Sequence, residues 1–455
     1  MSRDRADIIV APATLTGGAV AMVRLSGDES ITLVQSMFRS SKDGALINAK
    51  GHTAHYGDIV NANGEVVDDV LVTIFRAPHS YTGEESVEIS CHGSQYIVQQ
   101  IISLAVDQGA RMAEAGEFTI RAYLAGRIDL SQAEAVADMI ATTSAASHAM
   151  ASTQMRGGYS AKLTSLRGSI LSLVTLLELE LDFSEEDVEF ADRGRLTELI
   201  NECRSAISKL AESFKVGNAI KNGVAVAIVG EPNVGKSTLL NRLLNDDRAM
   251  VSDIAGTTRD VIEESITIKG LTFRFLDTAG LHDTDDRLEQ MGIDRTYQAI
   301  SRAHVILHLV DARVAEVEPL AVAEDQTVIT VRNKVDLSGE SHDLRATSPT
   351  ECTDIYISAK EDIGIDMLLE RLYSTVDTAS LYAGDPIVSN IRHYDHLRSA
   401  LDALDATLCA LTNGIPTDLV CEDIRTALYH IGSITGEITT DDILGNIFSN
   451  FCIGK

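Results

Sequence analysis

The stretch from Val224 to Leu244 leaves the fewest folds open to this chain. Val224-Ala-Val-Ala-Ile-Val229 is an unbroken β-forming apolar run, and it predicts a buried strand. Gly230-Glu-Pro-Asn-Val-Gly-Lys-Ser237 follows, and then Leu239, Leu240, Leu243 and Leu244 recur at helical spacing. A glycine-bounded turn between strand and helix, closed by Lys-Ser, is a P-loop in the setting that its chemistry requires. Its backbone N–H groups surround phosphate oxygens, Lys236 reaches the β and γ phosphates, and Ser237 offers a hydroxyl to Mg²⁺. The helix start adds the positive end of its dipole. Asn233, Val234, Gly235 and Thr238 complete the residues expected to touch the nucleotide here.

At 455 residues the chain has sequence for about three domains. Its formal net charge of −29 disfavours encounter with polyanions, so an RNA partner needs a local basic patch. Met1-Ser-Arg-Asp-Arg-Ala-Asp7 is charged and lacks the apolar core of a signal peptide, and no apolar run is long enough to span a bilayer. Six cysteines without Cys-x-x-Cys spacing fit reduced thiols in a cytoplasmic protein. Cys91 and His92 lack the companion spacing that a zinc site needs.

From Ile8 to about Arg111 strands are predicted at Ala19–Leu25, Val66–Phe75 and Val87–Cys91, with a helix over Ile97–Val106. In the third strand Val87, Ile89 and Cys91 share one face and Glu88 the other. Arg24 sits among apolar neighbours, which requires an anionic or carbonyl partner. An exposed strand position, an internal ion pair and a ligand contact all suit this arginine and Glu88. Past Gly116 the texture is helical. Ser131-Gln-Ala-Glu134 has the capping-box pattern, and helices are expected over Leu163–Leu181 and from about Arg195 to Phe214. Gly217-Asn-Ala-Ile-Lys-Asn-Gly223 has the composition of a hinge-like link. Further helices are expected over Tyr394–Leu411, Asp418–Ile431 and Thr440–Phe451. The two helical blocks suit one bundle into which a nucleotide domain is inserted.

Strands and helices alternate from Val224 to about Thr378, with strands at Leu271–Leu276, Val305–Val310, Thr327–Val331 and Ile355–Ile357. A mostly parallel sheet covered by helices follows. In Phe275-Leu-Asp277-Thr278-Ala279-Gly280 the aspartate holds Mg²⁺ through water, and Gly280 offers an N–H to the γ-phosphate. Thr257-Thr258 can close a loop on the metal through Thr258. Asn333-Lys334-Val-Asp336 selects guanine, whose N1–H and 2-amino group match one carboxylate, and Ser358-Ala359-Lys360 completes the base pocket. Ras-type enzymes follow Asp-x-x-Gly with a glutamine that orients water; here Leu281 stands there and can do neither half of a hydrogen bond. Hydrolysis therefore needs another carboxylate or a cation, with Asp283, Asp285, Asp286 and Glu289 as candidates.

The sequence resembles the bacterial tRNA-modifying GTPase family called MnmE or TrmE along its whole length. The resemblance rests on Gly17-Gly-Ala-Val, Tyr81-Thr-Gly-Glu-Glu, Gly116-Glu-Phe-Thr-Ile-Arg-Ala, Leu130-Ser-Gln-Ala-Glu-Ala, Asp253-Ile-Ala-Gly-Thr-Thr-Arg-Asp260 and terminal Phe451-Cys-Ile-Gly-Lys455. It implies an N-terminal α+β folate-binding and dimerisation domain (1–120), a helical bundle in two halves (121–218 and 380–455) and an inserted Ras-like α/β G domain (219–379). It implies a homodimer that works with the flavoprotein MnmG, which brings FAD, in a heterotetramer on tRNA. Together they place an aminomethyl-type group on carbon 5 of the wobble uridine. The one-carbon carrier is 5-formyl- or methylene-tetrahydrofolate, contacted by Arg24, Glu88, Arg127 and Lys455. Arg127 stands where some relatives have lysine.

The same resemblance implies that K⁺ takes the electrostatic role of an arginine finger, an effect on the order of 10³ to 10⁵ in rate. Its ligands by position are Asn233, Ser252, Ile254 and Thr257; Ser252 replaces the more familiar threonine. Nucleotide contacts extend over Ser252, Asp253, Ile254, Ala255, Gly256, Thr257 and Thr258. Glu289 aligns with the carboxylate that positions water, and His282 replaces an arginine seen in some relatives. Cys452 suits either a nucleophile or a wall of the folate pocket; Cys-Ile-Gly-Lys does not fit a prenylation signal. The alternative from another class is a GTP-controlled ribosome or RNP assembly factor.

Overall fold

The computed structural model describes residues 7–41, 44–182, 193–245, 250–251, 264–276, 298–317, 320, 322–323, 326–337, 354–376, 386–439, 441–449, 451 and 454. The chain divides into two compact units, one from Met1–Ala137 with Gly432–Lys455 and one from Asp138–Ile431.

In the first unit a seven-stranded sheet is ordered β3-β4-β5-β6-β2-β1-β7. The strands are β1 (Ile9–Pro12), β2 (Val20–Ser26), β3 (Phe38–Arg39), β4 (Thr53–Val60), β5 (Val66–Phe75), β6 (Ser86–His92) and β7 (Arg111–Met112). Alternation in β6 works as expected, with Val87, Ile89 and Cys91 buried. They join Val23, Leu25, Val72 and Ile74 in a core beneath α1 (Ser30–Met37) and α2 (Gln95–Asp107). The register sets Arg24 directly opposite Glu88, so the two odd strand residues are cross-strand partners. After α3 (Glu117–Leu124), helix α4 (Leu130–Ile140) packs with the chain's final helical segment. Leu130, Ala133, Phe448 and Phe451 form one apolar cluster.

The capping box of α4 lies two residues before its expected place. Asp129 N–H donates to Gln132 Oε1 at 3.0 Å, and Gln132 N–H donates to Asp129 Oδ1 at 2.9 Å. Ser131, expected as the cap, is fully buried inside the first turn and donates to Asp129 Oδ1. Aspartate caps as well as serine, so the local pattern alone does not choose between the two registers.

The second unit holds the other seven-stranded sheet, ordered β14-β13-β12-β8-β11-β10-β9. Strands β8 (Val224–Val229), β11 (Leu271–Phe275), β12 (Val305–Asp311), β13 (Thr327–Asn333) and β14 (Asp354–Tyr356) are mutually parallel; β10 (Glu264–Ile268) and β9 (Met250–Val251) run antiparallel at one edge. Strand β8 is central and almost wholly buried, as its continuous apolar run requires. Helix α9 (Lys236–Leu244) buries Leu239, Leu240 and Leu243 on the sheet, and α10 (Ile365–Ser374) buries Leu368, Leu369 and Leu372. The unit also contains α5 (Ala145–Met155), α6 (Gly158–Asp182), α7 (Arg193–Glu212), α11 (Ile391–Thr412) and α12 (Thr417–Thr435); α7 packs on α6 and on α11, and α5 lies between α6 and strand β11. The chain ends in α13 (Asp441–Phe448) of the first unit. The architecture is multidomain α+β and α/β.

A second expectation is corrected. The segment with the composition of a link, Gly217 to Gly223, lies mostly in a helix, α8 (Phe214–Asn222), which ends at Gly223 with φ 79°. Gly217 serves contact rather than flexibility: a Cβ there would come within 2.0 Å of the Val388 carbonyl oxygen. Val388 is also tied to the helix start through its N–H, which donates to Ser213 Oγ at 3.0 Å. Gly217→Ala should therefore destabilise the protein by about 1–3 kcal/mol through overpacking, although alanine favours an isolated helix by about 1 kcal/mol. Thermal unfolding checks the sign, and an unchanged or raised midpoint contradicts the packing account.

Candidate nucleotide and N-terminal sites

The P-loop takes its path from close backbone approach. At Gly230 a Cβ would lie 2.2 Å from the Leu309 carbonyl oxygen, so the turn passes where no side chain fits. Asn233 has φ 60° and Gly235 has φ 106°, and the latter starts α9. Lys236 Nζ donates to the carbonyls of Gly230 at 2.8 Å and Glu231 at 2.9 Å, which holds the ammonium across the loop. Burial pushes its pKa below the usual lysine value. Ser237 is partly exposed and Thr238 exposed in the first turn beyond it.

A second layer fastens the loop to the base-recognition segments. Asn333 is 3% exposed at the end of β13; its Nδ2 donates to Val234 O at 2.9 Å and its Oδ1 accepts from Ala359 N–H at 3.0 Å. A Cβ on residue 235 would stand 2.4 Å from that Nδ2, which is why glycine is needed there. Buried Ser358 donates to Asp336 Oδ1 at 2.6 Å and accepts from Glu361 N–H at 3.2 Å. This bond restricts rotation of the carboxylate. Lys334, at φ 67°, pairs with Asp311 at 3.2 Å. Lys360 points outward with its side chain 80% exposed, paired with Glu361 at 3.4 Å.

The structure thus brings Val234, Gly235, Lys236, Asn333, Lys334, Asp336, Ser358 and Ala359 into one connected layer. Ser252, Asp253, Ile254, Ala255, Gly256, Thr257, Thr258, Asp277, Thr278, Ala279, Gly280 and Glu289 lie outside the described residues.

In the first unit Arg24 Nε and Nη2 donate to Glu88 Oε1 at 2.9 and 2.7 Å, with only 17% and 20% of the two side chains exposed. Nη1 donates to Gly454 O at 3.3 Å, and the guanidinium carbon stands 5.7 Å from the Phe118 ring centre. The chain end is thereby set beside Arg24. Gly454 is confined there, since a Cβ would come within 2.2 Å of Pro12 O. Arg127 is exposed and lies along Gly83. Cys452 and Lys455 lie outside the described residues. Cys91 faces the core, where burial pushes its thiol up to about 11, while His92 turns outward onto Asp68 at 2.8 Å.

A charged network near this site has almost no signature in the sequence. Arg121, 9% exposed, bonds Asp7, Glu84 and Glu117, while Arg111 pairs with Asp7 at 2.5 Å and with Glu117. Glu84 also accepts from Ser26 Oγ at 2.8 Å. Burial opposes the Glu117 charge, yet bonds from Arg111 and the Glu114 N–H hold its carboxyl below the usual range. The i,i+4 spacing of Glu117 and Arg121 is the one helical signal; Arg111 is six residues before Glu117, and Asp7 and Glu84 come from distant segments.

The model of the GTP-binding protein TrmE N-terminus matches residues 8–127, and that of the MnmE helical domain matches 130–452. The chain belongs to the MnmE family. A tRNA modification GTPase MnmE of Flavobacterium johnsoniae is 50% identical over 463 residues, covering 99% of each chain. Those of Bacteroides fragilis and Cytophaga hutchinsonii are 49% and 46% identical, the former with 99% of each chain covered, the latter with 99% of this chain and 98% of its own. In this MnmE member the Asp336 carboxylate of Asn333-Lys-Val-Asp336 is held by Ser358. Asp336→Asn should weaken GDP binding by about tenfold or more and improve binding of xanthine nucleotides, because the amide donates where the carboxylate accepted. Competition against a fluorescent GDP analogue measures both; unchanged base preference removes Asp336 from the pocket.

Proposed function

We infer that this chain hydrolyses GTP and that the hydrolysis cycle serves modification of the wobble uridine of tRNA. What carries the reading is the single hydrogen-bonded layer in which Asn333 joins the Lys236 loop to the Asp336 and Ser358 base segments. The cradle suits a nucleotide. Gly230 and Gly235 admit backbone where a side chain would collide, and Lys236 supplies a cation held across the loop by two neutral carbonyls. Lys236 binds and neutralises the β and γ phosphate oxygens, and the start of α9 adds its dipole. Ser237 and Thr258 would hold Mg²⁺, which offsets phosphate charge when bound.

Leu281 gives no help to an attacking water, so that task falls to Glu289. Asn233, Ser252, Ile254 and Thr257 would hold K⁺, which would offset negative charge at the phosphates when bound. Exposed Asn233 at φ 60° is available for this role. In the first unit a formyl- or methylene-tetrahydrofolate binds beside Arg24, Glu88, Arg127 and Lys455. In support of this, the Arg24–Glu88 pair offers both a fork of donors and an acceptor to a pterin edge. Cys452 lines that pocket or attacks the pyrimidine. The same reading includes the four-part division at 1–120, 121–218, 219–379 and 380–455, the homodimer, the MnmG partner with its FAD, and cytoplasmic residence. Among the described residues no helix is long and apolar enough to cross a membrane.

GTP turnover should rise when K⁺ replaces Na⁺ at constant ionic strength, and equal rates in the two salts would remove the monovalent cation. Arg24→Ala should abolish binding of 5-formyltetrahydrofolate while leaving GTP turnover intact; retained folate affinity contradicts the N-terminal assignment. Mass analysis of wobble uridines from a deletion strain separates tRNA modification from a GTP-controlled assembly role, because an assembly factor leaves the nucleoside unchanged.

A further inference from the structure

Strand β12 lies between the P-loop strand and the Asn333 strand, and its last residue is an acid that none of the nucleotide motifs includes. Asp311 sits opposite Asn333 in the parallel register, and the next residue, Ala312, donates its N–H to Asn333 O at 2.7 Å. The Asp311 carboxylate, 16% exposed, is held on one side by Arg313. Arg313 Nε bonds Oδ1 at 2.9 Å, Nη2 bonds Oδ2 at 2.7 Å, and the Arg313 backbone N–H bonds Oδ1 at 3.1 Å. On the other side Oδ2 takes the Lys334 ammonium at 3.2 Å. These bonds, Arg313's foremost, keep the Asp311 carboxyl well below the usual range, so it stays charged throughout the working pH range.

Lys334 is set by its backbone as well as by this pair. It occupies the left-handed region at φ 67°, directly after a buried Asn333 whose side-chain bonds reach the P-loop and Ala359. A lysine has four rotatable bonds, and an unanchored one spreads over many conformers; one ion pair selects among them. Asp336, two residues on, is the acceptor for the base. The alkyl chain of Lys334 then has a defined course between the Asp311 carboxylate and the base-recognition turn.

We propose that Asp311 is a positioning residue for guanine-nucleotide binding: it anchors the Lys334 ammonium so that the lysine's alkyl chain forms one wall of the base slot. Arg313 fixes the carboxylate so that Oδ2 faces Lys334. Asp311 itself touches no part of the nucleotide, and its effect passes through Lys334. This role rests on the guanine-nucleotide reading of the Asp336 pocket.

The test is a double-mutant cycle on the full-length protein, read by dissociation of a fluorescent GDP analogue. Binding by the wild type tests the guanine-nucleotide reading itself, independently of Asp311. Given that binding, Asp311→Asn should speed dissociation about tenfold in the wild-type background, and by less than about twofold once Lys334 is alanine. Asp311→Glu, which keeps the charge on a longer arm, should fall between Asp311→Asn and wild type. A role confined to folding predicts instead an equal loss in both backgrounds, matched by a lowered unfolding midpoint of the nucleotide-free protein. That outcome overturns the proposal, as does wild-type dissociation in Asp311→Asn. Should Asp311→Asn fail to fold, the same cycle is run with Asp311→Glu, where equal effects in both backgrounds likewise overturn it.

Discussion

The layer proposed to bind nucleotide depends on one buried amide. Asn333 spends its donor on the Val234 carbonyl and its acceptor on the Ala359 N–H, so three separate chain segments share one side chain. A buried amide with a missing partner costs about 1–3 kcal/mol, which makes any other loop arrangement unfavourable. Gly235 is confined by the same contact, since a side chain there would overlap the amide nitrogen. On the proposed reading this ties phosphate cradle and base pocket together ahead of the nucleotide, which reduces the ordering cost of binding.

In the first unit the comparable device is ionic. Arg111 and Arg121 share Asp7, Glu84 and Glu117, with Arg121 almost fully buried. Burying charges is expensive, and the network is tolerable because the guanidinium groups meet carboxylates on several sides. It joins residues from before β1, from the Tyr81–Glu85 segment, from β7 and from α3, and Glu84 ties it to Ser26 at the end of β2. Gly454 comes to the wall on which Arg24 and Glu88 stand, packed on Pro12 and bonded to Arg24. Phe451 and Gly454 thus belong to the N-terminal unit's architecture.

Among this molecule's features, those legible beforehand have local causes. Alternation in β6 assigns Glu88 to the open face, the apolar run of β8 demands a central strand, and the glycine spacing before Lys236 demands a phosphate loop. The capping of α4 is visible as a pattern but displaced by two residues, because Asp129 and Ser131 are equally good caps by composition and only Gln132's reach decides between them. Gly217 to Gly223 shows the opposite error. Glycine and asparagine lower helix propensity, yet packing against Val388 outweighs that preference and a small residue becomes a requirement of contact.

By itself, the sequence determined the P-loop, the choice of guanine, the parallel sheet and membership of the MnmE family, because each is written in contiguous residues or in short-range periodicity. Only the tertiary structure decided that Arg24 and Glu88 are partners, that Asn333 bridges to a carbonyl 99 positions away, that Arg24 meets Gly454 across 430 positions, and that Asp311 holds Lys334. The physical reason is the range of the interactions. Backbone preference and hydrophobic alternation act between near neighbours, whereas hydrogen bonds and ion pairs bind whichever groups the packed sheets bring within about 3 Å.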